Sequence, residues 1–206
     1  MSQWLVVPTA QAVSRDFGCI TCNVAGNCAI GKAQLAVDVS DRGKRQVLFL
    51  SLNTESENAS ITGVYFDDGT LPGLSGLIDA NDDALGSFGD PGMDFSPGAS
   101  PGDLPGGSAV GFIVTAGFLG DSDPPAEQDG VNPGETLGVV FALQAGGTYQ
   151  DLIGGLIDGS PRIGVHAPSI GTGGSESFVN ARPLAPEPGS ALLLGLGLAC
   201  LARTRP

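Results

Sequence analysis

AQLAVDVSDRGKRQVLFLSL, residues 33–52, alternates apolar and polar side chains on either side of a short charged interruption, and its reading decides the fold. From Ala33 to Ser40, Leu35, Val37 and Val39 fall on one face, the period of two that marks a strand with one side buried. Asp41-Arg42-Gly43-Lys44 has the residues of a turn. Arg45 to Leu52 then returns as the partner strand of a hairpin, with either Val47, Phe49 and Ser51 or Leu48, Leu50 and Leu52 turned inward.

Outward from this hairpin, Ile61–Phe66, Gly111–Phe118, Thr136–Gln144 and Arg162–His166 are further strand candidates separated by Gly-Pro turns. Thr148–Ile157 differs, because Leu152, Ile153, Leu156 and Ile157 fall at helical spacing and predict a short helix on the edge of the sheets. With 33 Gly and 15 Pro in 206 residues, long helices are disfavoured, since each glycine costs about 1 kcal/mol and each proline about 3 inside one. A composition 41% hydrophobic and only 15% charged is that of a chain able to bury a core. The expected class is mainly β: a β-sandwich of about 7 to 9 short strands with long Gly/Pro-rich loops and one helix near 148–157. Pro91–Gly107 is the longest such loop, and its sharper reading is a binding loop.

The charge is one-sided, 22 acidic residues against nine basic, and between Gln46 and Ala181 the only basic side chain is Arg162. Neutralising phosphates needs clustered Lys or Arg, so a nucleic-acid partner is not expected. Cys19, Cys22 and Cys28 sit close together, with Cys200 far away near the chain end. A structural zinc needs four ligands and there is no second Cys-x-x-Cys pair, so one disulfide pinning the N-terminal loop is the expectation in an oxidising compartment.

The chain contains no Gly-x-Ser-x-Gly elbow, no phosphate loop and no His-Glu-x-x-His, and its lone histidine, His166, reads as a strand-end residue hydrogen-bonded to backbone. No catalytic residue and no cofactor are therefore assigned. A carboxylate-dependent polysaccharide hydrolase is the third-ranked class, because it needs only two suitably spaced acids. Calcium is the better candidate ligand: Asp79, Asn81 and Asp83 follow the alternate-oxygen spacing of a calcium loop, and Asp90 falls where the twelfth ligand would be. Ala84 stands where that loop requires glycine. Asp121, Asp123, Asp129 and Glu135 form a second acidic stretch, and exposed turn formers are the plainer account of both.

The chain closes on PEPGSALLLGLGLACLARTRP, residues 186–206. Gly189–Ala202 would make about 21 Å of helix against a hydrocarbon core of roughly 30 Å, and Arg203 and Arg205 follow it as a cationic stop. At the other end, residues 1–13 lack a basic n-region and carry only Trp4–Val7 as an apolar block, although Ala10-Gln11-Ala12 fits a small-x-small cleavage site. They are read as a truncated or remnant export segment, with the true start expected upstream.

Pro186-Glu187-Pro188, the apolar run and the arginines, in that order at the chain end, resemble the PEP-CTERM sorting signal of Gram-negative bacteria. Ile61–Gly69, Phe95–Gly107, Thr115–Gly134, Gly173–Asn180 and Gly18–Leu35 resemble a recurrent group of the passengers that carry it. The resemblance implies recognition by a transpeptidase-like membrane enzyme, exosortase, removal of the tail near Pro186-Glu187-Pro188, and delivery to the cell envelope, the cell surface or an exopolysaccharide matrix. It also implies a Cys19–Cys28 disulfide, leaving Cys22 as the odd thiol. The expected organisation is an export remnant at 1–13, a β-sandwich passenger at 14–180, a linker at 181–185 and a sorting and transmembrane tail at 186–206. The expected function is that of an exported surface or matrix protein with a structural or adhesive β-domain, not an enzyme. The alternative is a membrane-anchored glycan- or calcium-binding module.

Overall fold

The computed structural model describes residues 12–54, 57–68, 74–79, 93, 95–98, 102–120 and 129–180. In chain order these carry β1 (Val13–Cys19), α1 (Asn27–Gln34), β2 (Leu35–Gly43), β3 (Gln46–Asn53), β4 (Ala59–Ser60), β5 (Gly63–Asp67) and β6 (Leu74–Asp79). They continue with β7 (Phe95–Pro97), β8 (Ala116–Gly120), β9 (Thr136–Leu143), α2 (Tyr149–Asp158), β10 (Arg162–Ala167), β11 (Ser169–Ile170) and β12 (Glu176–Asn180). Residues 1–11, the linker 181–185 and the hydrophobic helix expected within 186–206 lie outside the described residues. Among the described residues no helix is long and apolar enough to cross a membrane.

The hairpin at 33–52 forms as β2 and β3, paired Val37 to Ser51 and Val39 to Phe49. That register turns Val47, Phe49 and Ser51 inward, where all three are buried. At the turn Asp41 Oδ1 accepts the Gly43 N–H at 2.8 Å, and Lys44 and Arg45 both adopt positive φ, 49° and 62°. This is the geometry of a two-residue hairpin loop whose twist matches the flanking strands.

The strands form one ten-stranded sheet, order β6-β9-β3-β2-β1-β12-β10-β5-β8-β7, and β4 with β11 makes a small second sheet. Strand β1 is the corner. Its residues Val13–Asp16 pair with β2, whereas Phe17–Cys19 pair with β12. The two halves thereby face each other across a shared core in which Phe66 of β5 meets Phe49 of β3 at 5.2 Å and Phe141 of β9 at 4.8 Å between ring centroids. These edge-on contacts are the favoured geometry of aromatic pairs. Val37, Val139, Val64, Ile163, Val165 and Phe178 complete the same interior.

The outer face of the β12-β10-β5 half is covered as well. Leu104 and Phe112 pack with Tyr65 and Val179 in a second apolar cluster, so β5 is buried on both faces. The end of the loop read at Pro91–Gly107 thus serves as a packed cover. Residues 107–115, expected to begin a strand at Gly111, instead form a 3-10 turn at Gly107–Val110 and an irregular segment, with β8 starting at Ala116. Gly106 and Gly111 take left-handed φ on either side of that turn, a conformation that breaks strand geometry and is open to glycine.

The chain has twelve strands among its described residues, more than expected, because β4, β7 and β11 are too short to show any period. Helix α2 follows from its spacing and from Thr148, which caps it by accepting the Asp151 N–H while Asp151 accepts the Thr148 N–H. Leu152, Ile153 and Leu156 are buried, but Ile157 is 48% exposed, so the apolar stripe is narrower than the spacing implied. Helix α1 was not expected, and it claims Ala33 and Gln34 from the predicted strand. It packs through Gly31, where an added Cβ would lie 2.1 Å from Phe178 Cζ.

Candidate functional site

Most residues singled out from sequence lie outside the described set. Pro186, Glu187, Pro188, Arg203 and Arg205 are among these, as are Asn81, Asp83, Asp90, Asp121 and Asp123. Asp79 ends β6. Glu135 is engaged locally, since its Oε2 accepts the Asn132 N–H at 2.6 Å and closes a turn.

The N-terminal cysteine loop is fully described. Cys19, at the end of β1, forms a disulfide with Cys28 in the first turn of α1, the Cα atoms 5.4 Å apart, within the usual span for such a bond. Cys22 is a free, exposed thiol, its sulfur 3.0 Å from that of Cys28. The three sulfurs lie within 4.8 Å of one another. With two of them joined, a metal would meet a single thiol, so the oxidised loop is no metal centre.

What holds this loop is Glu176, at the start of β12 and fully buried. Its Oε2 accepts from Thr21 Oγ1 at 2.6 Å and its Oε1 from the Val24 N–H at 2.9 Å. Burial pushes the carboxyl toward protonation, but hydrogen bonds from the Thr21 side chain and from the Val24 and Asn23 backbone outweigh it and hold the pKa below its ordinary value. Thr21 Oγ1 in turn accepts the Ser177 N–H at 2.8 Å, and Asn23 Nδ2 donates to the Ser175 carbonyl at 2.6 Å.

His166 does not bond to backbone through its ring as expected. Its Nδ1 lies 3.0 Å from Ser177 Oγ, and burial pushes its pKa down. A serine beside a histidine invites a nucleophile reading, but Ser177 has no exposed surface, so this hydroxyl cannot meet a substrate in this conformation. The pair instead satisfies the buried Ser177 hydroxyl with a half-buried ring.

A cavity of about 400 Å³ opens at the small sheet, lined by residues 58–60, 132–133 and 169–173, which include β4 and β11. The lining includes Asn58, Asn132, Ser169 and Thr172 and no charged residue, while Ser60 and Ile170 beneath it are buried. Such a surface suits a neutral, polyhydroxylated ligand, and its volume is that of small-molecule pockets, about 300 to 1,000 Å³. Neither Glu176 nor this groove was foreseen. Glu176 meets Thr21 across 155 residues, and the groove draws on three segments distant in sequence, so neither leaves a local pattern.

Comparison with family models matches residues 184–205 to the PEP-CTERM protein-sorting motif. The chain carries that motif, which marks it as an exosortase-sorted, exported protein of the cell envelope or extracellular space. The match covers the tail and leaves the β-rich body unassigned. Neither a curated protein nor a solved structure matches the chain.

Proposed function

We propose that this chain is a surface or matrix component whose folded body, residues 14–180, is structural or adhesive and whose tail is an address that exosortase reads and removes near Pro186-Glu187-Pro188. The observation that supports this reading is the sorting motif at 184–205, placed after a body that completes its sheets by Asn180. Cleavage beyond that point removes no described strand. In this reading the apolar segment anchors the chain in the membrane only until processing, and the body has no catalytic role and needs no cofactor.

A second reading is favoured by the uncharged groove at the small sheet: a module that retains a neutral glycan such as an exopolysaccharide. The net charge of −13 fits a neutral partner better than a polyanion. Calcium at Asp79, Asn81, Asp83 and Asp90 remains a proposal on spacing alone.

Intact-mass measurement of the surface and medium fractions tests the leading reading. A polypeptide ending near Glu187 is expected, and a Pro186→Ala variant should accumulate uncut in the membrane fraction. Recovery of the whole chain from the soluble interior of the cell would overturn it. For the second reading, retention on purified exopolysaccharide should weaken in Asn58→Ala and Thr172→Ala.

A further inference from the structure

We propose that the Cys19–Cys28 disulfide is self-exchanging, with Cys22 as the attacking thiol and Cys28 as the pivot. Cys22 Sγ stands 3.0 Å from Cys28 Sγ, already inside ordinary sulfur–sulfur contact. It is held there by bonds on both sides. Thr21 is tied to Glu176, Asn23 to Ser175 and Val24 to Glu176, so the loop has little freedom to carry the thiol away. Fixing two reactants in this way replaces a bimolecular encounter by an intramolecular one.

The step balances without an external oxidant. Cys22 loses its proton to water and its thiolate attacks Cys28 Sγ. The Cys22–Cys28 bond forms as the Cys19–Cys28 bond breaks, and the electron pair leaves on Cys19 Sγ, which takes up a proton. The Thr21 carbonyl oxygen lies 2.6 Å from Cys19 Sγ and 3.0 Å from Cys28 Sγ, so the released thiol finds an acceptor at once. The exchange moves the unpaired sulfur from an exposed position at Cys22 to a half-buried one at Cys19. It thereby withdraws the thiol from outside reagents and from other disulfides.

Acid quenching of the full chain after incubation at mildly alkaline pH, thiol alkylation and peptide mapping test this. Both Cys19–Cys28 and Cys22–Cys28 linked peptides are expected, with alkylation divided between Cys22 and Cys19; Cys200 is read separately on its own peptide. Cys22→Ser should show the Cys19–Cys28 linkage alone. Cys19→Ser, placed in a glutathione redox buffer, should close Cys22–Cys28 and lose both thiols of the loop. Alkylation confined to Cys22 throughout, with a single linkage in the wild-type chain, would overturn the proposal. So would a folded Cys19→Ser variant that keeps Cys22 and Cys28 open in the same buffer.

Discussion

Arg162 of β10 and Asp67 of β5 form an ion pair at 2.5 Å, and the same two side chains hold down the segment that covers the outer sheet face. The guanidinium donates to the carbonyls of Val110 and Gly111 and lies 5.2 Å over the Phe112 ring. Asp67 Oδ2 accepts the Ile113 N–H at 3.1 Å. The only cation between Gln46 and Ala181 is therefore engaged in structure and is not offered to an anionic ligand.

Removing either partner leaves a poorly solvated charge. Asp67→Ala should cost about 3 kcal/mol, the low end for a buried pair, because the Arg162 side chain is still 18% exposed. Urea unfolding measures it. Hydrogen exchange at Ile113 should accelerate more than exchange in β3, since the cover loosens before the core. An unchanged Ile113 rate would show that Leu104 and Phe112 hold the cover by packing alone.

Only the parts of this fold with a local cause were legible in the sequence. The β2–β3 hairpin shows because a half-buried strand alternates, and α2 because Leu152, Ile153 and Leu156 repeat at helical spacing. Strand β12 did not show. All five of its residues are buried, and the polar ones are satisfied at long range, Glu176 by Thr21 and Asn180 by the Ile163 N–H. A buried carboxylate paired across the whole body reads locally as a solvent-facing turn residue. The sorting tail was legible for a different reason: it is an ordered string of residue types and needs no fold to be recognised.

Gly31→Ala sets helix propensity against packing. Alanine favours a helix by about 1 kcal/mol, yet its Cβ would lie 2.1 and 2.4 Å from two atoms of the Phe178 ring, which has no exposed surface. Packing should win, with a net loss of about 1 to 3 kcal/mol. Phe178→Leu in the same background should recover part of it. A rise in the urea midpoint for Gly31→Ala alone would mean that α1 stands further from β12.

Lys44 is the opposite case, an exposed side chain on a backbone at φ 49°. Left-handed geometry costs a non-glycine residue of order 1 kcal/mol, and asparagine or glycine tolerates it better at this turn position. Lys44→Asn should stabilise the hairpin by about 0.5 to 1 kcal/mol. Arg45→Gly, at φ 62°, should gain less, because it also loses the bond from Arg45 to the Leu143 carbonyl at 2.9 Å. Equal gains at the two positions would count against that bond.

Acidification should weaken the body in two stages. His166 is held below its ordinary value of 6.5 by burial, so the unfolded state takes up its proton first. The stability favouring the neutral ring is present above about 6.5 and declines as pH falls below it toward the lowered folded value. Glu176 is held below its ordinary 4.5, with the Thr21, Val24 and Asn23 hydrogen bonds outweighing the effect of burial. Its contribution is present above about 4.5 and is lost as pH falls through the lowered folded value. Urea midpoints measured from pH 8 downward should therefore begin to drop near 6.5 and drop again below 4.5. His166→Gln should flatten the first limb. Glu176→Gln should flatten the second while costing about 1 to 3 kcal/mol at neutral pH, since the Thr21 and Val24 donors lose a charged acceptor. A first limb that persists in His166→Gln would show that another group titrates between pH 5 and 7.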